Sequence, residues 1–252
     1  MHFGLNRWTI TPQPRQGAAL QLLCFHHAGG GAYSYRPWPQ RLRPEVELIA
    51  VQLPGRENRH AEPLLHHAEA VLDGLIGALQ GALGRRYAMF GHSLGAMLAY
   101  SLACRVRRTG ELAAPVHLFL SAARPPKLAA VDEAPFEPPA EQDAIRQLRR
   151  LGGTPEAVFE DPGLLRAFLP ALLADYEILS RLRRRDEPPL DIPLTLFKGD
   201  DDRTIRARHL EEWRRLSSAP SQAHSLPGGH FYPPASQASL LDTINAVMGG
   251  YV

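Results

Sequence analysis

The sequence predicts an α/β fold, a mostly parallel sheet flanked by helices, and three observations carry that expectation. Short apolar or β-branched runs alternate with longer stretches of helical periodicity. One such run leads through the turn Gly91-His92-Ser93-Leu94-Gly95 into a helix-forming stretch, Ala96-Met97-Leu98-Ala99-Tyr100. The chain has 252 residues, 44% of them hydrophobic and 21% charged, enough for one large domain with its own core.

The strands follow in order. Leu20–Phe25 is the first and Val46–Val51 the second. Tyr87–Phe90 is the third, Val116–Leu120 the fourth, Leu194–Phe197 the fifth and Ala223–Leu226 the sixth. Between them, Val71, Leu72, Leu75, Ile76 and Leu79 recur at helical spacing, as do Leu98, Leu102 and Val106. Strands alternating with helices imply a sheet buried on both faces, with its site beyond the carboxyl ends of the strands. The whole of 1–252 reads as one domain, and no internal repeat is present.

One stretch interrupts the alternation. From about 124 to 189 there is no convincing strand. It opens with Ala134-Pro135-Phe136-Glu137-Pro138-Pro139, and helical patterns follow. The longest holds Leu164, Leu165, Phe168, Leu169, Leu172, Leu173, Tyr176, Ile178 and Leu179, an apolar stripe wider than one packing face requires. Pro170 is expected to kink or divide it. Excess apolar surface on an insertion between strands suggests a helical lid over an apolar pocket, against the plainer reading of a helical excursion packed on the sheet.

Charge and cysteine usage exclude several classes. A formal net charge of +2 argues against a nucleic-acid binder. Cys24 in a strand and Cys104 on a helix read as small buried hydrophobes in a reducing compartment. Neither has a spacing that suggests a metal site. No run of about 18 apolar residues and no leader pattern is present, so a cytoplasmic protein without a membrane role is expected.

The turn at Ser93 carries the chemistry. A serine between a strand and a helix sits in a strained conformation at the tip of the sheet, with the helix N-terminus behind it. The flanking glycines permit close packing of strand on helix. A serine hydroxyl needs a base, and the base needs an orienting carboxylate. In α/β-hydrolase order these follow as an acid after a late strand and a histidine after the last. Lys198-Gly199-Asp200-Asp201-Asp202-Arg203 supplies the acid, and Pro227-Gly228-Gly229-His230-Phe231 the histidine. Of eleven histidines, His230 is the one in position. His224 lies within the last strand, His209 in a helix too soon after the acid, and His92 inside the elbow as a packing residue. Three adjacent aspartates leave the acid open between Asp202 and Asp201. Two oxyanion donors are expected. Leu94 N–H is one. Ala28 N–H, in His26-His27-Ala28-Gly29-Gly30-Gly31-Ala32, is nominated as the other. The phosphate-cradling patterns G-x-x-x-x-G-K-[ST] and G-x-G-x-x-G are absent.

Several ordered motifs resemble those of the type II thioesterases that accompany polyketide synthases and nonribosomal peptide synthetases. His27-Ala28-Gly29-Gly30-Gly31-Ala32 with Tyr35-Arg36-Pro37-Trp38 is similar to their first motif, and Leu53-Pro54-Gly55-Arg56-Glu57-Asn58-Arg59 with Glu62-Pro63 to their second. Phe90–Ala96 resembles their elbow, and Pro170-Ala171-Leu172 with Asp175-Tyr176 their lid signature. Gly199-x-x-Asp202 and Leu226–Phe231 complete the set, which spans nearly the whole chain. The chain departs from the family at His26, often Pro there, and at Gly31, often Ser.

The resemblance implies an α/β-hydrolase fold with a helical lid. It also implies hydrolysis of acyl groups from the phosphopantetheine arm of an acyl- or peptidyl-carrier protein, an editing activity on stalled or mis-primed synthases. Position by position it makes Ser93 the nucleophile, His230 the base and Asp202 the preferred acid, with Ala28 and Leu94 as oxyanion donors. No cofactor of the enzyme's own is implied, since phosphopantetheine belongs to the substrate. The competing readings are a chain-releasing thioesterase, a small-molecule ester hydrolase and a non-catalytic binding module. The chain opens on Met1 and carries no carrier segment, which favours a stand-alone enzyme over a chain-releasing domain. Carrier proteins of this kind are acidic. The basic clusters Arg181–Arg185 and Arg146, Arg149 and Arg150 are therefore either carrier-docking surface or solvated helix faces.

Overall fold

The structure, a computed structural model, describes residues 7–126, 136–182 and 187–252. Its seven strands are β1 (Thr9–Ile10), β2 (Leu20–Phe25), β3 (Val46–Val51), β4 (Arg86–His92), β5 (Leu118–Ser121), β6 (Leu194–Gly199) and β7 (Ser221–Leu226). They form one sheet in the order β1-β3-β2-β4-β5-β6-β7. Every pairing is parallel except β1 with β3. All six expected strands are present: Leu20–Phe25 and Val46–Val51 match at both ends, and no end of the other four shifts by more than two residues. The two-residue β1 is too short to show a period, and the sequence reading misses it.

The helices are α1 (Ala68–Leu79), α2 (Leu94–Thr109), α3 (Glu141–Leu151), α4 (Glu156–Glu160), α5 (Pro162–Leu182), α6 (Ala207–Arg215) and α7 (Pro234–Gly249). Strand alternation assigns the core to two faces. Leu23, Phe25, Met89, Leu118, Leu120, Leu194 and Leu196 pack with the apolar faces of α1, α2 and α5. Leu22, Cys24, Ala88, Phe90, Phe119 and Phe197 pack on the other side with Leu240, Leu241 and Ile244 of α7. Near-continuous burial of β2, β4 and β5 is what a parallel sheet covered on both faces requires. Cys24 and Cys104 are both free and buried, as expected of small hydrophobes.

Among the described residues, 124–189 contains no strand and holds α3, α4 and α5. Residues 127–135 and 183–186 lie outside the described set; they include Ala134 and Pro135 of the Pro-rich segment and Arg183–Arg185 of one basic cluster. Pro170 does not divide its helix, contrary to one of the two expected outcomes: α5 runs without a break through it. Pro170 is exposed, as is Arg166 one turn before it, so the carbonyl deprived of its donor faces water rather than a dry core.

Backbone meets backbone at the elbow. A Cβ on Gly95 would overlap the carbonyl oxygen of Phe25, and a Cβ on Gly91 would overlap that of Gly95. Ser93 N–H donates to Ser121 O at 2.8 Å, which fastens the turn to the end of β5. Gly95→Ala is expected to lower the unfolding free energy by about 1–3 kcal/mol through overpacking of fixed backbone. Urea denaturation checks this, and an unchanged midpoint contradicts the packing argument.

Candidate active site

Each candidate residue follows the carboxyl end of a strand. Ala28 follows β2, Ser93 follows β4, Asp202 follows β6 and His230 follows β7. In-register pairing of Phe25 with Gly91, His92 with Ser121, Ser121 with Phe197 and Gly199 with Leu226 brings these ends level. Ala28, Ser93 and His230 consequently line one cavity of about 260 Å³.

Ser93 has φ 56° and ψ −115°, a conformation an L-residue adopts only under constraint. It is the N-cap of α2, and its carbonyl accepts the amides of Ala96 and Met97. The Leu94 and Gly95 amides belong to the first turn, which has no intrahelical acceptor for them. They point their partial positive charge toward the serine side of the turn.

His230 Nδ1–H donates to Asp202 Oδ2 at 2.8 Å. Asp202 is therefore the carboxylate the structure brings to the imidazole, while Asp200 and Asp201 are exposed. Thr204, unnoticed in the sequence, holds the other oxygen: its amide and hydroxyl donate to Asp202 Oδ1 at 2.8 and 2.6 Å. An aspartate two residues before a threonine is the local signal for such a turn. Burial by itself raises the Asp202 pKa, but hydrogen bonds and charge from His230, with the bonds from Thr204, outweigh it and hold it at about 2.

Three further histidines crowd the site. His92 stacks on Phe231 and meets the His230 ring edge-on at 5.3 Å. Its Nδ1 lies 3.1 Å from Ser121 Oγ, which in turn lies 2.9 Å from the Tyr232 hydroxyl. His92 thus packs, as expected, and joins a buried polar network the sequence did not reveal. His27 meets Phe231 at 4.9 Å. Burial, aided by Arg56, pushes His26 down to about 3, and burial with the neighbouring His26 and His230 pushes His27 down to about 4. Burial also drives His92 well below its usual value. All three are neutral near pH 7, so His92 and His27 stand beside His230 without adding charge. His224 and His209 lie in β7 and α6, as expected.

The glycine loop is held from other segments. Asp175 of α5 accepts Gly29 N–H at 2.8 Å and pairs with both terminal nitrogens of Arg56, at 2.6 and 2.9 Å. Arg56 also donates to Gly30 O, and Gln52 Oε1 accepts Ala32 N–H at 2.7 Å. The motifs containing Arg56 and Asp175 were legible, but their pairing across 119 residues was not. Gly29, Gly30 and Ala32 amides are thereby engaged, and Ala28 stands at the cavity. The apolar part of the remaining cavity wall comes largely from the insertion, with Leu148 and Leu151 of α3 and Leu172, Tyr176 and Leu179 of α5, while Arg124, Gln147 and Thr204 add polar groups. Of the basic cluster on α3, Arg146 pairs with Asp143 and Arg149 with Glu156, whereas Arg150 lines the cavity.

A mostly parallel sheet with a strained serine between β4 and α2 places the molecule among the α/β hydrolases. The chain belongs to the thioesterase family: the thioesterase domain model matches residues 20–248. It is similar to the linear gramicidin dehydrogenase LgrE of Brevibacillus parabrevis, at 36% identity over all of this chain and 96% of the relative. Among solved structures it resembles RedJ, a thioesterase from the prodiginine pathway of Streptomyces coelicolor, at 35% identity and TM-score 0.83 over 92% of each chain. It also resembles BorB, a type II thioesterase from the borrelidin biosynthetic cluster, at 33% identity and TM-score 0.82, covering 94% of this chain and 96% of that one. Among the described residues, no helix is long and apolar enough to cross a membrane.

The depressed pKa of Asp202 sets a sign for stability against pH. Its ionised form is favoured by folding, so its contribution is full above about pH 4 and is lost as pH falls toward about 2. Denaturation midpoints measured across that range are expected to fall less steeply in Asp202→Asn than in the native protein or in Asp201→Asn. Equal slopes in all three contradict the assignment of the buried carboxylate.

Proposed function

We propose that this chain is a stand-alone serine thioesterase that removes acyl groups from the phosphopantetheine arm of carrier proteins, clearing stalled or mis-primed polyketide or peptide synthases. The observation that carries the catalytic part is the convergence of Ser93 and the His230–Asp202 pair on one cavity. The carrier context rests on the relatives, whose names place them in linear gramicidin, prodiginine and borrelidin biosynthesis. LgrE is named a dehydrogenase, but this chain has no G-x-G-x-x-G fingerprint, and its site geometry favours hydrolysis.

The roles follow from the chemistry. With Nδ1–H committed to Asp202, the neutral His230 ring is basic at Nε2. Nε2 takes the Ser93 proton as Oγ attacks the thioester carbonyl carbon. The oxyanion is held by the amides of Leu94 and Ala28. Collapse breaks the C–S bond, and the proton passes from His230 to the departing thiolate. Water, deprotonated by His230, then attacks the acyl-serine ester and releases the acid and the Ser93 hydroxyl. Asp202 orients the ring and stabilises its charged form. The insertion at 124–189 serves as the lid, its apolar side chains from α3 and α5 forming the acyl-binding wall.

Ser93→Ala is expected to fold but to lose hydrolysis of acyl-carrier thioesters. Asp202→Asn is expected to lower kcat by about 10³–10⁴-fold, and Asp201→Asn to leave it within about twofold. Steady-state kinetics on a panel of acyl-carrier proteins, run beside simple esters, checks all three. Native rates in Ser93→Ala overturn the mechanism. A preference for simple esters favours the general ester hydrolase instead.

A further inference from the structure

We propose that the buried Arg56–Asp175 pair is a positioning device that fixes the oxyanion loop to the wall of the acyl pocket. The inference rests on the reading above, in which Ala28 N–H is an oxyanion donor. The loop that carries Ala28 continues as three glycines, which offer no side chain by which to pack and lose much backbone entropy when ordered. Something outside the loop must hold it to the sub-ångström tolerance that an oxyanion donor needs.

The structure supplies that hold. The Asp175 side chain is 0% exposed and that of Arg56 6%. Asp175 Oδ2 accepts both Arg56 at 2.6 Å and Gly29 N–H at 2.8 Å, while Oδ1 accepts the second arm of the guanidinium fork at 2.9 Å. The same arginine donates to Gly30 O at 3.2 Å, so the peptides on both sides of the Gly29–Gly30 link are gripped by one ion pair. Gly29 has φ +74°, and a Cβ there would lie 2.5 Å from the Phe168 ring of α5. Side chains of α5 therefore pack directly against the loop backbone that Asp175 bonds. Leu172, Tyr176 and Leu179 on the same helix line the cavity holding Ser93. Pocket wall and oxyanion loop thus form one rigid unit. A buried ion pair contributes little net stability over apolar residues of similar size, which makes placement the better account of its presence.

Two paired substitutions separate positioning from bulk stability. In Arg56→Met/Asp175→Leu both charges are removed together, so no lone charge stays buried, but Gly29 N–H loses its acceptor. In Arg56→Met/Asp175→Asn a side-chain carbonyl remains to accept it. The readouts are thermal unfolding, amide hydrogen exchange of segment 27–31, and kcat and KM on an acyl-carrier thioester. The leucine pair is expected to keep a cooperative unfolding transition, to exchange at least about 10-fold faster in 27–31, and to lose about 10²-fold in kcat with KM within about threefold. The asparagine pair is expected to recover most of both losses. A folded leucine pair with native exchange and native kcat overturns the proposal, as does an asparagine pair no better than the leucine pair. If the leucine pair does not fold, Arg56→Lys decides: it keeps the charge but not the fork, and unchanged kcat overturns the proposal. If the native enzyme shows no Ser93-dependent thioester hydrolysis, the functional reading fails by itself, and exchange at 27–31 still decides whether the pair holds the loop.

Discussion

Backbone contact at the meeting of β2, β4 and α2 is the constraint on which the rest of the molecule depends. Gly95 lies against the Phe25 carbonyl and Gly91 against that of Gly95. This contact allows α2 to begin one residue after Ser93, which puts the serine in its strained conformation with the first-turn amides at its side. It also sets the distance between the end of β2 and the elbow, and hence between the loop bearing Ala28 and the Ser93 hydroxyl. Any side chain at these two glycines would push the candidate oxyanion donors and the candidate nucleophile apart.

The electrostatics of the site follow from how water is excluded there. Burial disfavours charge on His26, His27 and His92, which stay neutral. Asp202 resists the same burial because three donors converge on its two oxygens. The result is one fixed negative charge facing His230, with no competing cation among the neighbouring rings. That arrangement suits the role proposed for His230, in which the imidazole gains and loses a proton while its orientation stays constant.

The insertion between β5 and β6 contributes to the site in two ways. Its α5 supplies apolar wall to the cavity, and its Asp175 reaches through to Arg56 and Gly29. Segments 29–32 and 52–56 are thereby tied to each other and to α5 by Gln52, Arg56 and Asp175. Sequence motifs that stand far apart are thus parts of a single physical object.

Much of this was legible along the chain because its signals are local. Strand runs, helical spacing, the glycine-flanked serine and the glycine pair before His230 each declare themselves within a few residues. Their order along the chain then gives parallel strands with every candidate at a carboxyl end. Pairings across long separations were not legible. Asp202 rather than Asp201 faces His230 because the turn closed by Thr204 directs one carboxylate inward and leaves its neighbours in water. Pro170 passes through α5 unbroken because the carbonyl it orphans is solvated, a matter of which face the helix exposes. Arg56 and Asp175 look like ordinary charged residues until folding buries them against each other. Periodicity and turn chemistry are properties of neighbours in sequence, whereas burial and charge pairing are properties of neighbours in space.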